Sequence, residues 1–457
     1  MIIAPVRSQV AFSEGRLDAK YYCSPGVLAN ERVQMLGASG VVLRTVGGDG
    51  GLGQVGATSR TRRVYAAQGE ESLPYLRPYD VFDYLPQPAG QLSKSGSAGL
   101  ESLMPEVGTI LQTCSGRNLG PLAYADEYIS QFVVSDDMLR LHIADETDRL
   151  YVLAFLSTPT GQALLTRSKT GNVIDHLSAD DLASVRVPFL DAQVVNDIAE
   201  TMGGVVKTRE RSRLRLQQLV REFVEDLPPI PSSTPLREGW TVRATDLRSR
   251  LDVAVHDPIV GQIRSDLLAL GGKRVQEIAE TSMPNRYKRY YVDEGHGRPI
   301  MSGRHLLQMK PVNLQYISAR ALDFEAYELG AGTLVFGARG RAEERISLPA
   351  LITDDRAAWL ASHNVMRVRP KANVSPGWLY LCFSTDHVQR QVKASAFGSV
   401  VDVVDPVNLN EVVLPPMDED LGHEAYECWQ KFAEASRVEA DVIDRLENAM
   451  LSRLETV

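Results

Sequence analysis

The 457-residue sequence lacks several features that would place a protein in a class at once. No run of apolar residues approaches the length needed to cross a bilayer, and the first residues show no basic region followed by an apolar stretch. We therefore expect a soluble protein without a secretory signal and without a membrane partner. The four cysteines are scattered, which argues against a disulfide framework or zinc cluster and favours a reducing cytoplasm.

The motifs of common catalytic centres are also missing. There is no G-x-x-x-x-G-K-[ST], no H-E-x-x-H, no G-x-S-x-G, and no Asn/Asp-Pro-Pro-aromatic stretch of the kind that amino-methyltransferases use. Residues 48–53 fit G-x-G-x-x-G, but a strand-like segment follows them where a dinucleotide site needs a helix. We expect no catalytic residue, no metal and no cofactor. A cryptic nuclease would have only residues 136–137 and 354–355 as crude acidic candidates.

The sequence is written as two similar halves. Four blocks recur in the same order with offsets of 224 to 234 positions, namely residues 16–18 with 250–252, 60–65 with 286–291, 108–117 with 332–341, and 171–188 with 398–415. Such order and spacing favour an internal duplication. The alternative is two unrelated domains that share turn residues.

The residue pattern of each half predicts a mixed α/β domain followed by a long helix. Strands are predicted at residues 40–46, 332–337 and 347–353, where β-branched and aromatic residues lie between glycines and prolines. Residues 149–165 and their match at 378–392 predict helices. Beyond each half, apolar residues at alternating spacings of three and four predict a coiled-coil seam.

These patterns predict an α+β fold of two tandem mixed α/β domains, related by a pseudo-two-fold duplication. The two long helices are expected to pack as an antiparallel coiled coil, although Arg209 and Ser212 interrupt the seam and Gly203–Gly204 weakens the first helix. The residues expected to pack between the helices are Ile198, Val205, Leu216, Phe432, Val442 and Leu446.

The order of these motifs resembles the specificity subunit of type I restriction-modification systems. In both halves a Gly-x-Val motif, a spaced leucine and a strand ending in proline precede the long helix, and an acidic-then-Gln helix entry stands at Asp191 and Gln193 but is blurred at residues 418–420. The resemblance implies the following division: target recognition domains at residues 1–190 and 245–417, spacer helices at 191–227 and 418–457, and a proline-rich linker at 228–244. It further implies a bipartite site in double-stranded DNA, two docked methyltransferase subunits and, in some systems, a restriction or translocase subunit.

The net charge of −9 is unfavourable for a nucleic-acid partner, but a local basic patch can still bind phosphate. Residues 273–310 hold eight basic and four acidic side chains, a local balance of +4, and residues 60–65 hold three arginines beside a tyrosine. Arginine binds phosphate oxygens and the edge of guanine equally well. The candidate DNA-binding residues are Arg60, Arg62, Arg63, Tyr65, Arg117, Arg286, Lys288, Arg289, Tyr291, Arg304 and Arg341.

Two alternatives remain open at this stage. The basic blocks are also compatible with solvated edge strands whose charges discourage aggregation, and Arg117 and Arg341 with surface arginines beside turn glycines. At the level of function, the alternative to a DNA-binding subunit is a non-catalytic protein-binding scaffold within a phage-defence complex.

Overall fold

The computed structural model describes residues 19–22, 24–116, 119–167, 176–231, 239–247, 250–318, 320, 324–340, 346–398 and 400–455. The chain divides into two units. Unit 1 comprises Met1–Glu210 with Glu434–Val457, and unit 2 comprises Arg211–Ala433. Parts of the predicted motifs, at residues 16–18, 171–175 and 232–238, lie outside the described residues.

Unit 1 combines helices with three small sheets among its described residues. Its helices are α1 Ala19–Tyr22, α2 Pro25–Ala38, α3 Glu146–Ser157, α4 Pro159–Leu165, α5 Ala179–Ala183, the first part of α6 Ala192–Glu225 and, from the far end of the chain, the second part of the last helix, Glu419–Glu455. Its strands are β1 Val42–Thr45, β2 Gln54–Ala57, β3 Ser72–Leu76, β4 Gly90–Ser93, β5 Ile110–Thr113, β6 Leu122–Tyr124, β7 Val133–Val134, β8 Met138–His142 and β9 Arg186–Phe189. The core lies around α3, whose residues from Leu150 to Leu156 are all buried.

Unit 2 repeats this arrangement. Its helices are the second part of α6, α7 Pro258–Ala269, α8 Val275–Ile278, α9 Pro376–Ser384, α10 Asp386–Ser395, α11 Pro406–Leu409 and the first part of α12 Glu419–Glu455. Its strands are β10 Lys273–Arg274, β11 Ala279–Ser282, β12 Tyr291–Val292, β13 Arg298–Met301, β14 Gln315–Ile317, β15 Leu334–Gly337, β16 Arg339–Gly340, β17 Ala350–Leu351, β18 Leu360–Ala361, β19 Val365–Pro370, β20 Asp402–Val403 and β21 Val413–Leu414.

The two larger sheets of each unit share one topology, and the pairs β12 with β14 and β16 with β20 of unit 2 correspond to isolated bridges at Tyr65 and Ser115 of unit 1. The antiparallel sheet β2-β8-β5-β6 of unit 1 matches β11-β19-β15-β17 of unit 2. In the second sheet, β3 pairs antiparallel with β4 and parallel with β7, and β13 makes the same two pairings with β14 and β18. The predicted α+β class and the duplicated fold are confirmed, and the pseudo-two-fold relation between the copies stays a prediction.

Two predicted helices are each broken into two. The segment 149–165 forms α3 and α4, and the segment 378–392 forms α9 and α10. The breaks fall at Thr158 and Thr385, whose backbones are extended and whose side chains cap the following helix. A similar shortening applies to the strand predicted at 347–353, of which only Ala350–Leu351 pairs with β15.

Both long helices are unbroken, and α6 continues through the glycines and polar residues that were expected to weaken it. Gly203 and Gly204 lie inside α6, and a Cβ atom on Gly203 would lie 3.1 Å from Leu150 Cδ1 of α3. The glycine therefore allows α6 to pack closely on the buried helix of unit 1. None of the helices in the described ranges is long and apolar enough to cross a membrane.

Within each unit the two long helices run antiparallel. In unit 1, ion pairs join Asp191 with Arg453, Asp197 with Arg445, and Arg209 with Glu439. From one ion pair to the next, the residue number rises along α6 and falls along α12, so the two helices run in opposite directions. In unit 2, Arg215 pairs with Glu424 at 2.6 Å.

The apolar residues of the predicted seam are buried. Ile198, Val205, Val442 and Leu446 belong to one core cluster of unit 1. Leu216 and Phe432 are fully buried in unit 2, where the ring of Phe432 lies 5.9 Å from that of Trp429.

Candidate nucleic-acid interface

The basic block of unit 1 is an extended segment between β2 and β3. Arg60 and Arg62 are exposed, and the structure contains no ion pair to either of them among its described residues. Tyr65 forms an isolated bridge with Leu92 of β4 and is 58% exposed. A Cβ atom on Gly90 would lie 2.7 Å from its ring, so the ring covers this glycine. The bridge fixes the segment to the sheet while two arginines remain accessible.

Arg63 differs from its neighbours because its charge is already paired. Its guanidinium forms an ion pair with Asp136, lies 3.7 Å from Asp137, and stacks over the ring of Tyr75 at 5.4 Å. Burial alone would raise the pKa of Asp136, but hydrogen bonds from Arg63 and the Thr61 amide lower it below its ordinary value. Arg63 is thus held at the sheet by a charged carboxylate.

The matching block of unit 2 is held by aromatic rings. The Tyr287 hydroxyl donates a hydrogen bond to the Ala361 carbonyl at 3.1 Å, and burial raises the pKa of this tyrosine to about 12. The Arg289 guanidinium lies over the Tyr287 ring at 5.2 Å, and the Lys288 ammonium lies over the Tyr290 ring at 4.9 Å. Tyr291 is 52% exposed and pairs with Ile317, the counterpart of the Tyr65 bridge.

Arg289 contacts a histidine where Arg63 contacts an aspartate. Its Nη2 atom donates to His363 Nδ1 at 3.1 Å. His363 follows β18 and precedes β19, as Asp136 follows β7 and precedes β8, with an offset of 227 positions. Burial lowers the pKa of His363, and the nearby charges of Arg289, Arg286 and Arg339 lower it further.

The surroundings of His363 are therefore strongly positive. In the part of the chain that the structure describes, no carboxylate lies within ion-pair distance of Arg286, Arg289 or Arg339. Arg298 and Arg274 of the same stretch are paired instead: Arg298 forms an ion pair with Glu328, and Arg274 lies 3.6 Å from Glu411. Arg286, Arg289 and Arg339 therefore give the half-buried His363 ring a positive environment without a paired carboxylate among the described residues.

Arg304 has a different neighbourhood. It is exposed, and its Nε atom donates to Nε2 of the adjacent His305 at 3.0 Å. His305 is 3% exposed, and burial together with Arg304 lowers its pKa to about 4. The structure thus brings Arg286 and Arg289 together, whereas the recorded contact of Arg304 is with His305. Arg117 and Arg341 lie outside the described residues.

Comparisons with known proteins give the following. No protein-family model matches the chain, and no curated protein does. Among solved structures, the S subunit of a type I restriction-modification system from M. genitalium is similar, with 14% identity, coverage of 90% of this chain and 95% of that chain, and a TM-score of 0.32. The HsdS subunit from Thermoanaerobacter tengcongensis is similar, with 14% identity, coverage of 88% and 96%, and a TM-score of 0.28.

A third similar structure comes from work on the complex assembly and conformational transition of the type I R-M system. It has 14% identity and a TM-score of 0.29, with coverage of 87% of this chain and 96% of that chain. These structures come from the kind of system that the order of motifs indicated.

The glycine run at 48–53 forms a turn and not a nucleotide site. Gly51 N donates to Gly48 O at 3.0 Å, and strand β2, not a helix, follows. A Cβ atom on Gly53 would lie 2.0 Å from the His142 carbonyl oxygen, so only glycine fits there. The run borders an open cavity of about 600 Å³ that is also lined by Glu106, His142 and Arg149.

The acidic candidates for a nuclease are engaged in other contacts. Asp136 binds Arg63, and Asp355 accepts a hydrogen bond from Thr353 and lies 3.7 Å from Arg356. Over the described ranges, no group of three or more His, Cys, Asp or Glu side chains is placed to hold a metal ion. These aspartates stabilise local structure.

Two residues of the interface were missed by the sequence analysis. Arg339 lies on β16, and the residue at the matching position of unit 1 is Ser115, which bridges to His176 as Arg339 pairs with Val403. His363 follows β18 and was not among the candidate DNA-binding residues. The signal for both was the internal offset, which aligns each with a different residue type in the other half.

Proposed function

We propose that this chain is a DNA-sequence-specificity subunit of a type I restriction-modification or related phage-defence system. It carries no catalytic centre or cofactor and acts in the cytoplasm. The observation that carries the proposal is the duplicated topology that bears a basic block at the same position of each copy. Both blocks are anchored by a tyrosine bridge to the second sheet and leave arginines exposed.

A duplicated reader suits a bipartite DNA site. The exposed Arg60 and Arg62 in unit 1 and Arg286 and Lys288 in unit 2 would each contact one half of the recognition sequence. Arginine pairs bidentately with the N7 and O6 atoms of guanine and also binds phosphate oxygens. Residues 1–190 of unit 1 and 245–417 of unit 2 are therefore proposed as the two target recognition domains, separated in sequence by the spacer helix α6 and the proline-rich linker at 228–244.

The proposed partners are double-stranded DNA and two methyltransferase subunits, with a restriction or translocase subunit in systems that cleave DNA. The net charge of −9 weakens long-range attraction to DNA. We therefore expect the isolated chain to bind duplexes weakly, and the assembled complex to obtain much of its affinity from phosphate contacts made by the partners.

The test compares two triple variants in the complex with its methyltransferase. Replacement of Arg286, Lys288 and Arg289 by alanine should relax one half of the methylated sequence, and replacement of Arg60, Arg62 and Arg63 should relax the other half. Loss of a base-contacting arginine costs about 1–3 kcal/mol at one position, whereas loss of a phosphate contact lowers the salt slope by about one unit for all sequences. Methylation-site sequencing measures the first effect, and binding at several salt concentrations measures the second.

A matched control removes three exposed arginines elsewhere, with Arg32, Arg243 and Arg390 replaced by alanine. This variant should keep the wild-type site. If both block variants also keep the full site at wild-type efficiency, the blocks are solvated edges. If the complex binds no duplex and the chain still holds its protein partners, the chain is a scaffold.

A further inference from the structure

The two copies differ in charge at the point where they otherwise correspond. Around Arg63, unit 1 has Asp136 at the end of β7 and Ser115 opposite His176. Around Arg289, unit 2 has His363 and Arg339 at the matching positions. One aspartate and one serine are thus replaced by a histidine and an arginine, which changes a neutralised site into a cationic one.

We propose that Arg286, Arg289, Arg339 and His363 form a binding site for a backbone phosphate of DNA, and that phosphate binding is coupled to uptake of one proton by His363. This assignment rests on the proposed function and adds a ligand group and a regulation to it. Only unit 2 would then bind a backbone phosphate at this position. In unit 1 the equivalent guanidinium, that of Arg63, is already paired with Asp136.

The geometry around the histidine supports a phosphate. Arg289 is oriented by its stacking on Tyr287 at 5.2 Å, and its Nη2 atom donates to Nδ1 of the neutral His363 ring at 3.1 Å. The proton taken up by His363 goes to Nδ1, which ends this hydrogen bond and frees Nη2 of the stacked guanidinium for a phosphate oxygen. Its Nη1 atom lies 3.5 Å from the Tyr291 hydroxyl. A guanidinium held in this way loses little conformational freedom when an anion binds. Charge-assisted hydrogen bonds from arginine to phosphate are among the strongest that proteins make.

The coupling to a proton follows from the charges that face His363. Arg286 and Arg289 face it from the segment before β12, and Arg339 faces it from β16. In the free protein these three cations, together with burial, hold its pKa below the ordinary value of histidine, so the ring is neutral at neutral pH. A bound phosphate offsets the cations and therefore raises the pKa of the same ring.

The direction of the pH dependence follows from the pKa of His363, which is lower in the free protein than in the complex with phosphate. Between the lower pKa of the free protein and the higher pKa of the complex, the complex holds one more proton. Affinity for DNA should therefore rise as the pH falls, by up to about tenfold per pH unit in that window. Below the pKa of the free protein both states are protonated, and the dependence should level off.

The experiment measures binding of the full chain, alone or in its complex, to a labelled random-sequence duplex at constant ionic strength, from about pH 8 to about pH 5.5. Wild type should bind more tightly at low pH. His363→Gln should keep the wild-type affinity at the alkaline end and lose most of the increase. Arg339→Ser, which places the residue of unit 1 in unit 2, should lower the salt slope by about one unit.

The reciprocal variant tests the asymmetry. Asp136→Asn keeps a side-chain oxygen for the Thr61 amide, which donates to Asp136 Oδ2 at 3.1 Å, but removes the charge that pairs with Arg63. DNA binding by this variant should depend more steeply on salt concentration than binding by wild type. A less steep dependence would contradict the proposal, because it would mean that Asp136 favours DNA binding.

A second readout separates DNA from free phosphate. The imidazole resonance of His363, assigned by its loss in His363→Gln, should shift its midpoint to higher pH when the duplex is added. If inorganic phosphate gives the same shift while duplex affinity is identical in wild type and His363→Gln at every pH down to the acid end, the site binds free phosphate and the assignment to DNA is wrong. If the duplex binds and neither variant changes pH dependence or salt slope, the site is wrong while the proposed function stands. If no duplex binds at any pH, the proposed function itself fails.

Discussion

Arg209 and Glu439 place an ion pair inside the packed face of the two long helices. Arg209 Nη2 lies 2.7 Å from a Glu439 carboxylate oxygen and 3.4 Å from the Ser436 hydroxyl. The two charged side chains are only 12% and 7% exposed. Removing both charges from water is costly, so the pair contributes little net stability, but it opposes other alignments of the helices because those would leave each charge buried alone.

Arg209→Met should destabilise the protein strongly, because it removes the guanidinium charge that faces the buried Glu439 carboxylate. We expect a loss of about 3–5 kcal/mol in the free energy of unfolding. The double variant Arg209→Met with Glu439→Met should recover most of that loss. Urea unfolding followed by circular dichroism measures both.

The matched control is Arg445→Met, which breaks the ion pair between Arg445 and Asp197 on the same two helices. Those side chains are 47% and 54% exposed, and an exposed pair contributes about 0–1 kcal/mol. Equal effects of Arg209→Met and Arg445→Met would show that the Arg209 pair is solvated in solution.

Among the elements, the helix breaks at Thr158 and Thr385 show how the same solution occurs in both copies. The Thr158 hydroxyl donates to Phe155 O at 2.8 Å and accepts from Gly161 N at 3.0 Å. The Thr385 hydroxyl donates to Cys382 O at 2.8 Å and accepts from Val388 N at 3.3 Å. Each threonine therefore ends one helix and begins the next, which turns the second helix away from the axis of the first.

Thr158→Ala should destabilise unit 1, because it removes an N-cap and leaves the buried Gly161 amide without an acceptor. The expected cost is about 1–2 kcal/mol. Thr201→Ala is the control, since its hydroxyl donates to Asp197 O within α6 at an exposed position and caps nothing. Thermal melting of both variants checks the difference, and a Thr158→Ala melting temperature equal to that of Thr201→Ala would contradict it.

The sequence indicates the helix break at Thr158, but the helical spacing of the apolar residues on both sides predicts a continuous helix there. Ser157, Thr158 and Pro159 form a helix-start signature, because threonine caps and proline favours the first helical turn. The apolar residues on either side nevertheless continue at helical spacing, which predicts one helix over 149–165. In the second copy no proline follows Thr385, so only the comparison of the two copies could have revealed the break.

Across the whole molecule, the duplication was the most informative feature of the sequence. Matched blocks predicted two copies of one fold, and the two units do share a strand order. The charge difference at Asp136 and His363 could not be predicted in the same way, because nothing in either sequence block shows which side chain of a distant turn touches Arg63 or Arg289. Contacts such as Thr160 with Glu447, whose side-chain oxygens lie 2.6 Å apart, likewise join residues that no pattern relates.

The units do not follow the order of the chain. Residues Glu434–Val457 belong to unit 1, although residues Arg211–Ala433 of unit 2 precede them. Val442, Leu446 and Met450 lie in the same core cluster as α3 and the first part of α6. One helix, α12, therefore completes the cores of both units, with its first part in unit 2 and its second part in unit 1.

Two cavity-forming variants of α12 should consequently act on different units. Leu446 is fully buried in unit 1 and Phe432 is fully buried in unit 2. Leu446→Ala should cost about 2–5 kcal/mol and Phe432→Ala about 3–5 kcal/mol, because each leaves a cavity that its neighbours fill only in part. In hydrogen exchange, Leu446→Ala should increase exchange within residues 110–205 and leave residues 365–395 near wild type, and Phe432→Ala should do the reverse. Each variant serves as the control of the other, since both truncate a buried side chain of the same helix. An equal increase in both regions for both variants would mean that the units open together, and that the boundary at Glu210 and Ala433 has no energetic meaning.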